Sequence, residues 1–219
     1  LLYNVPLPLE SGYRTALVNV GAMKNRGFEL TLNSVNIDTK DFTWQTSFNY
    51  SFNKNEIDKL YNDLDRVGNY FVGESINVIY TKRFGGIWQN DEAEIAKIYN
   101  AEPGDYKIID RNRNNIIDDD DREFIGQTTP QYFGSFSNTF KSHGFDLTIF
   151  LTYAGGHKIY NAFAYLDSYS PSANMSPDYY HNYWTPERPS NKYPRLGSTN
   201  SQLYETDGMY QKGDYIRLK

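Results

Sequence analysis

Twelve consecutive residues, Asp110-Arg111-Asn112-Arg113-Asn114-Asn115-Ile116-Ile117-Asp118-Asp119-Asp120-Asp121, carry the sharpest chemical pattern in the sequence. In register with a calcium loop of EF-hand type, Asp110, Asn112 and Asn114 take positions one, three and five. Ile116 offers its carbonyl at position seven, Asp118 stands at nine and Asp121 at twelve. The spacing matters because a hard cation needs several oxygens converging from one tightly coiled loop. Two positions depart from the pattern. Asn115 replaces the glycine of the sharp turn, although Asn accepts the left-handed conformation better than most residues. Asp121 replaces glutamate and reaches less far. The pattern therefore supports either a structural calcium site or an acidic, solvated loop held by Asx-turns.

A second group of candidates is aromatic. Trp88, Tyr179, Tyr180, Tyr183 and Trp184 lie in turn-rich stretches, where they could stack on a sugar or peptide. The competing role is packing of those stretches, or anchoring at a lipid interface. Catalysis finds little support. His143, His157 and His181 show no spacing of a metal site or a triad. Acidic pairs such as Asp91 and Glu92 make a glycosidase only if two carboxyls face each other across a cleft. Gly85-Gly86 and Gly155-Gly156 match no phosphate-binding loop.

The elements that must position these residues are strands. Phe42, Trp44, Phe48, Tyr50 and Phe52 share one face of a run from Phe42 to Asn53, interrupted by Thr46. Thr43, Gln45, Ser47, Asn49, Ser51 and Asn53 share the other, a period of two. Ten steps of roughly 3.3 Å, tilted about 45°, rise about 23 Å, which matches the apolar band of an outer-membrane barrel. A soluble β-sandwich strand would alternate too, but with Val, Ile and Leu rather than aromatics. Phe28, Leu30 and Leu32 alternate likewise, as do Tyr132, Phe136 and Phe140, and Phe145, Leu147, Ile149, Leu151 and Tyr153, with Phe150 out of phase. Short polar stretches, Asn36 to Asp41 and Lys141 to Gly144, join these runs in pairs. The other connections are long, as on the outer side of such barrels. The extended stretch Ile76 to Trp88 must then stay within the first long excursion.

Composition agrees. The 219 residues include 20 Tyr and 13 Phe, yet only 39% are hydrophobic, and mean hydropathy is −0.70. Apolar residues spread singly over half-polar strands give this arithmetic. Cysteine is absent, which removes disulfides, thiolate metal sites and cysteine nucleophiles. Net charge is −5, and no basic stripe exists to bind nucleic acid. No apolar run approaches the length of a transmembrane helix. The chain opens mid-structure at Leu1-Leu2-Tyr3 and closes inside an apparent strand, so both ends read as truncations.

Several blocks resemble one family in order along nearly the whole chain. Leu2 to Tyr13 and Val20 to Leu32 look like openings of late barrel strands in SusC/RagA-type TonB-dependent transporters. Pro103-Gly104-Asp105-Tyr106-Lys107, Asp110 to Asp121, Phe124-Ile125-Gly126 and Pro130 are similar to another stretch of that family. Phe145-Asp146-Leu147 with Gly156 and Ile159-Tyr160-Asn161, Trp184-Thr185-Pro186-Glu187 with Tyr193-Pro194-Arg195, and Gly213 to Lys219 complete the resemblance. It implies an antiparallel transmembrane β-barrel of 22 strands with an N-terminal plug. Such barrels are energised by TonB, capped by a SusD-like surface lipoprotein, and import oligosaccharides or peptides in Bacteroidetes-type bacteria. Residues 1–219 would be a C-terminal part of the barrel in the cell outer membrane, with 54–130 and 155–203 as long extracellular loops. The plug, the TonB box and the last strands would lie outside this chain. A soluble glycan-binding β-sandwich and a secreted glycan-degrading enzyme are the alternatives.

Overall fold

The computed structural model describes residues 2–19, 21–162, 176–198 and 205–219. Residues 163–175 and 199–203 of the expected loop 155–203 lie outside the described residues. In chain order the first strands are β1 (Leu2–Pro6), β2 (Thr15–Asn19), β3 (Gly21–Asp38), β4 (Phe42–Leu60), β5 (Arg66–Val67), β6 (Tyr70–Phe71) and β7 (Val78–Thr81). There follow β8 (Phe84–Ile87), β9 (Tyr106–Ile108), β10 (Glu123–Gln127), β11 (Tyr132–Ser142) and β12 (Phe145–Gly155), then β13 (Lys158–Tyr160), β14 (Tyr210–Lys212) and β15 (Tyr215–Leu218). Two compact units emerge: Leu1–Val78 with Gln127–His157 and Gly213–Lys219, and Ile79–Gly126 with Lys158–Lys212.

The first unit is built on one antiparallel sheet of order β15-β12-β11-β4-β3. Register shows why. One cross-strand row runs Leu32–Phe48–Phe136–Leu151–Leu218, and the next Leu30–Tyr50–Gly134–Tyr153–Ile216. Every second residue of every strand thus falls on one apolar face, because a strand has a period of two. The reverse face carries Thr31, Asn33, Ser47, Asn49, Ser135, Ser137, Thr148 and Thr152. Their side chains bond across strands, Ser47 to Asn33 at 2.8 Å and Asn49 to Thr31 at 3.0 Å.

The apolar face is open. Phe28 is 56% exposed, Leu147 58% and Ile216 76%, so no second sheet packs on it among the described residues. A β-sandwich would bury this face. Asn138, a polar residue on the same face, has its carbonyl oxygen satisfied by Trp44 Nε1 at 2.9 Å and Thr46 Oγ1 at 2.7 Å. Tyr153 lies over Gly134 and donates its hydroxyl to the Asn49 carbonyl at 2.9 Å, two strands away.

The short connections are tight. His143 (φ 49°) and Gly144 (φ 82°) link β11 to β12 through two left-handed residues, the turn that matches strand twist. Thr39 closes the β3–β4 turn, its hydroxyl donating to the Phe42 carbonyl at 2.9 Å. Both turns lie at one end of the sheet, and both long excursions leave from the other. One boundary differs from the sequence reading: the strand over Phe42–Asn53 continues to Leu60. Its upper half pairs with Gly21–Gly27, and polar residues now occupy both faces. The alternation vanishes there while the ladder of backbone bonds continues. Val78–Thr81 and Phe84–Ile87 pair with β10 and β9 and not with the main sheet, so the excursion holds them as expected.

The second unit has its own small core. Ile87, Tyr106, Trp184 and Met209 form one buried cluster, with Phe84 and Tyr210 against it. Trp88, Ala96 and Ala101 form another, backed by Tyr99.

Candidate functional site

The acidic loop is coiled by its own side chains. Asp110 Oδ1 accepts from the backbone N–H of Arg113 at 2.6 Å and of Asn114 at 3.3 Å. Its Oδ2 accepts from Asn115 N–H at 2.7 Å and from the Tyr99 hydroxyl at 3.0 Å. Burial pushes the Asp110 carboxyl up, but these donors outweigh it and hold the group below the usual carboxylate range. Asn112 and Asn114 accept from backbone N–H groups two residues on, at 3.0 and 2.8 Å. Asn115 adopts φ 66°, the left-handed conformation read for the glycine position, and Arg113 adopts 61°.

Asp121, 1% exposed, closes the loop by accepting from Arg111 N–H at 2.8 Å and Asp118 N–H at 3.0 Å. Asp118 accepts from Asp120 N–H at 2.9 Å, and Ile116 is exposed. The six candidate ligands therefore belong to one compact turn. Among the described residues, however, no three His, Asp or Glu side chains converge as a metal cluster. Any cation held here would rely on the amide oxygens of Asn112 and Asn114 and on the Ile116 carbonyl as much as on carboxylates.

The five aromatic candidates separate into two groups. Trp88, Tyr179 and Trp184 are buried, at 4%, 3% and 5% exposure. The Trp88 ring stacks on Tyr99 with centroids 5.8 Å apart, and the Lys107 ammonium lies 4.5 Å from the ring centroid. Trp184 donates its indole N–H to Gln89 at 3.1 Å, and Tyr179 donates its hydroxyl to the Pro194 carbonyl. These three pack the loops. Tyr180 is exposed, and Tyr183 is half-buried with the Arg188 guanidinium 4.9 Å from its ring. Only these two of the five present aromatic surface. Near them Asp178 binds Lys192 and the Tyr193 hydroxyl, each at 2.6 Å, and both hold its carboxyl below the usual range.

Sequence reasoning missed the residues that tie the loops together. The buried Asp105 carboxylate accepts from Arg195 Nε at 2.9 Å, Ser198 Oγ at 2.7 Å and Glu102 N–H at 3.0 Å. Gly104 beside it adopts φ 91°. A Cβ there would stand 2.5 Å from Trp184 Cε3 and 2.8 Å from Arg195 Cβ. Gly104 N–H donates to the Trp88 carbonyl at 2.7 Å, and Arg195 N–H donates to the Gly104 carbonyl at 2.8 Å. Pro103-Gly104-Asp105, Trp184-Thr185-Pro186-Glu187 and Tyr193-Pro194-Arg195 are thus parts of one clasp. The available signal was an acidic and a basic residue, each beside a turn former, in separate excursions.

No family model matches the chain. TonB-dependent receptor P3 of Formosa agariphila is 31% identical over 235 residues, covering 100% of this chain and 23% of that receptor. TonB-dependent receptor SusC of Bacteroides thetaiotaomicron is 29% identical over 185 residues, covering 80% of this chain and 18% of that receptor. Among solved structures, a chain of the RagAB peptide transporter superposes with a TM-score of 0.75 at 24% identity. The match covers 100% of this chain and 24% of that one; the importer's "open-open" state gives 0.77 at 23% identity. The chain spans about a quarter of the length of the relatives that match all of it. These relatives are named receptors and transporters, and the open five-stranded sheet is a segment of such a barrel wall. The chain belongs to the SusC/RagA-like TonB-dependent receptors of the outer membrane.

Proposed function

We propose that the chain supplies wall and outer loops to a TonB-driven importer of oligosaccharides or peptides that works with a SusD-like surface lipoprotein. The observation that carries this reading is the two-faced sheet. Its apolar rows extend from Phe42 to Phe52 on β4, about 23 Å of vertical rise at barrel tilt. Its other face offers hydroxyls and amides to a lumen. The excursions 54–130 and 155–203 then face outside, where Tyr180 and Tyr183 can meet substrate or lid. Trp88, Tyr179 and Trp184 act indirectly, by holding the loop body in shape. In the same reading the turn Asp110–Asp121 takes a structural calcium ion through Asp110, Asn112, Asn114, Ile116, Asp118 and Asp121. Millimolar external calcium suffices for imperfect ligands.

Fractionation of cells producing the full-length parent tests the reading. The protein should remain with the outer membrane until detergent is added, and a surface lipoprotein should co-elute with it. Labelled oligosaccharides or peptides should enter only while TonB is present. A parent released as a monodisperse soluble protein, or uptake indifferent to TonB, would remove the importer reading.

A further inference from the structure

The apolar face ends abruptly at the excursion side. Along β3 it runs Leu32, Leu30, Phe28 and then Arg26 and Lys24; along β4 it runs Phe48, Tyr50, Phe52 and then Lys54 and Glu56. Phe28 pairs with Phe52, and the next same-face pair is Arg26 with Lys54. Two cations directly opposite each other, with Cβ atoms about 5 Å apart, repel and destabilise a ladder. The neighbouring acids do not resolve this. Lys24 holds Glu56 at 3.0 Å and Asp58 at 2.9 Å, and Lys54 reaches Glu56 at 3.1 Å. Arg26 is exposed and makes no ion pair with a described residue. Three cations against two carboxylates leave a local charge of +1 in a chain whose net charge is −5.

We infer that Arg26 and Lys54 together bind the phosphate of an anionic lipid headgroup in the outer leaflet. The pair lies one strand repeat, roughly 6.6 Å along the strand, beyond the last apolar pair, at the level where headgroups begin. A phosphate between the two side chains turns their repulsion into attraction, and the Arg26 guanidinium offers it a bidentate pair of donors. The lipid itself is held by its acyl chains against Phe28, Leu30 and Phe52, which places a headgroup at Arg26 without further cost. This rests on the proposed barrel orientation, with the excursions outside.

The test uses the full-length receptor in detergent, with native mass spectrometry scoring retention of a phosphorylated glycolipid and of the same lipid dephosphorylated. Each cation near a charged headgroup is worth about fivefold in affinity, so Arg26→Ser with Lys54→Ser should reduce retention roughly thirtyfold. The dephosphorylated lipid should bind the parent and the double variant alike. Equal retention of the phosphorylated lipid by both proteins overturns the site. Displacement of the lipid by millimolar inorganic phosphate also overturns it, since a free anion would then be the ligand. Asp58→Cys separates the two readings: a membrane-impermeant maleimide should label it on intact cells, against the parent as control. If labelling requires broken cells, the orientation has failed and the lipid proposal falls with it.

Discussion

Replacement of Asp105 by Ala should open the clasp that joins the two long excursions without touching the five-stranded sheet. The Asp105 side chain is 9% exposed, while its partner Arg195 is 34% exposed. Removing one member of a fully buried ion pair costs about 3–5 kcal/mol. Arg195 can recover part of its hydration, so about 2–3 kcal/mol is the expected loss. At 1.4 kcal/mol per factor of ten, the clasp should open about 30 to 150 times more often. Amide hydrogen exchange on the full-length receptor reads this directly. The N–H groups of Trp88, Gly104 and Arg195 all donate within the clasp, at 2.9, 2.7 and 2.8 Å, and should lose protection together. Amides of β11 and β12 should be unchanged. Asp105→Asn keeps one acceptor and should fall between. Glu102 supplies the control: it pairs with the same arginine at 3.1 Å but is 71% exposed, so Glu102→Gln should cost no more than about 0.5 kcal/mol. Equal exchange in Asp105→Ala and Glu102→Gln, or unchanged exchange in Asp105→Ala, would refute the clasp as the element holding these loops.

Gly104→Ala should loosen the same amides by about 1–3 kcal/mol, since its φ of 91° and its contact with Trp184 both exclude a Cβ. Phe48→Arg, in a row that is apolar across all five strands, should cost roughly 2–4 kcal/mol in unfolding of the receptor from lipid. Asn49→Arg, on the polar face, should be nearly neutral by the same measurement. Calcium added to chelated receptor should raise exchange protection from Asp110 to Asp121, and Asp110→Ala with Asp118→Ala should abolish that response without unfolding the barrel. Lys192 and Tyr193 hold the Asp178 carboxyl below its ordinary value, so the stability it contributes is full above about pH 4. It is lost as pH falls through the folded value; limited proteolysis near Pro177–Asn182 should quicken below pH 4, and Asp178→Asn should remove that dependence.

The wall was legible because lipid and lumen impose opposite demands on adjacent residues. Phe48 and Asn49 are neighbours in sequence yet face different solvents, and that alternation survives in a single sequence. It fails beyond Asn53, where Lys54, Asn55, Glu56, Asp58 and Lys59 interrupt the alternation and Ile57 is buried, so the pattern stops although the ladder continues to Leu60. Phe150 was out of phase with its neighbours, and its pairing with Ser137 confirms that it stands on the polar face. The coiling of the acidic loop is legible too, down to the left-handed Asn115, because most of its Asx side chains bond to backbone N–H groups two to five residues away.

The aromatic residues show what a sequence withholds. Trp88 and Tyr180 lie in similar turn-rich surroundings, yet one is buried against Tyr99 and Lys107 and the other is exposed. Trp88 packs with Ala96, Ala101 and Tyr99, and the Asp105–Arg195 contact in the same loop body joins partners ninety residues apart that no period in the sequence announces. Loops of this length lose much conformational entropy on ordering, so a body that keeps its shape needs internal staples. Here the staples are a buried carboxylate, a guanidinium and the Trp184 indole, whose N–H is satisfied by Gln89. Large aromatics in such loops are accordingly core before they are ligand platforms. Of the five aromatic candidates, Tyr180 and Tyr183 keep aromatic surface outside that packing, and under the proposed importer reading they are the ones left for recognition. Under that reading a substitution at Asp105 should alter what the loops recognise although Asp105 is itself buried.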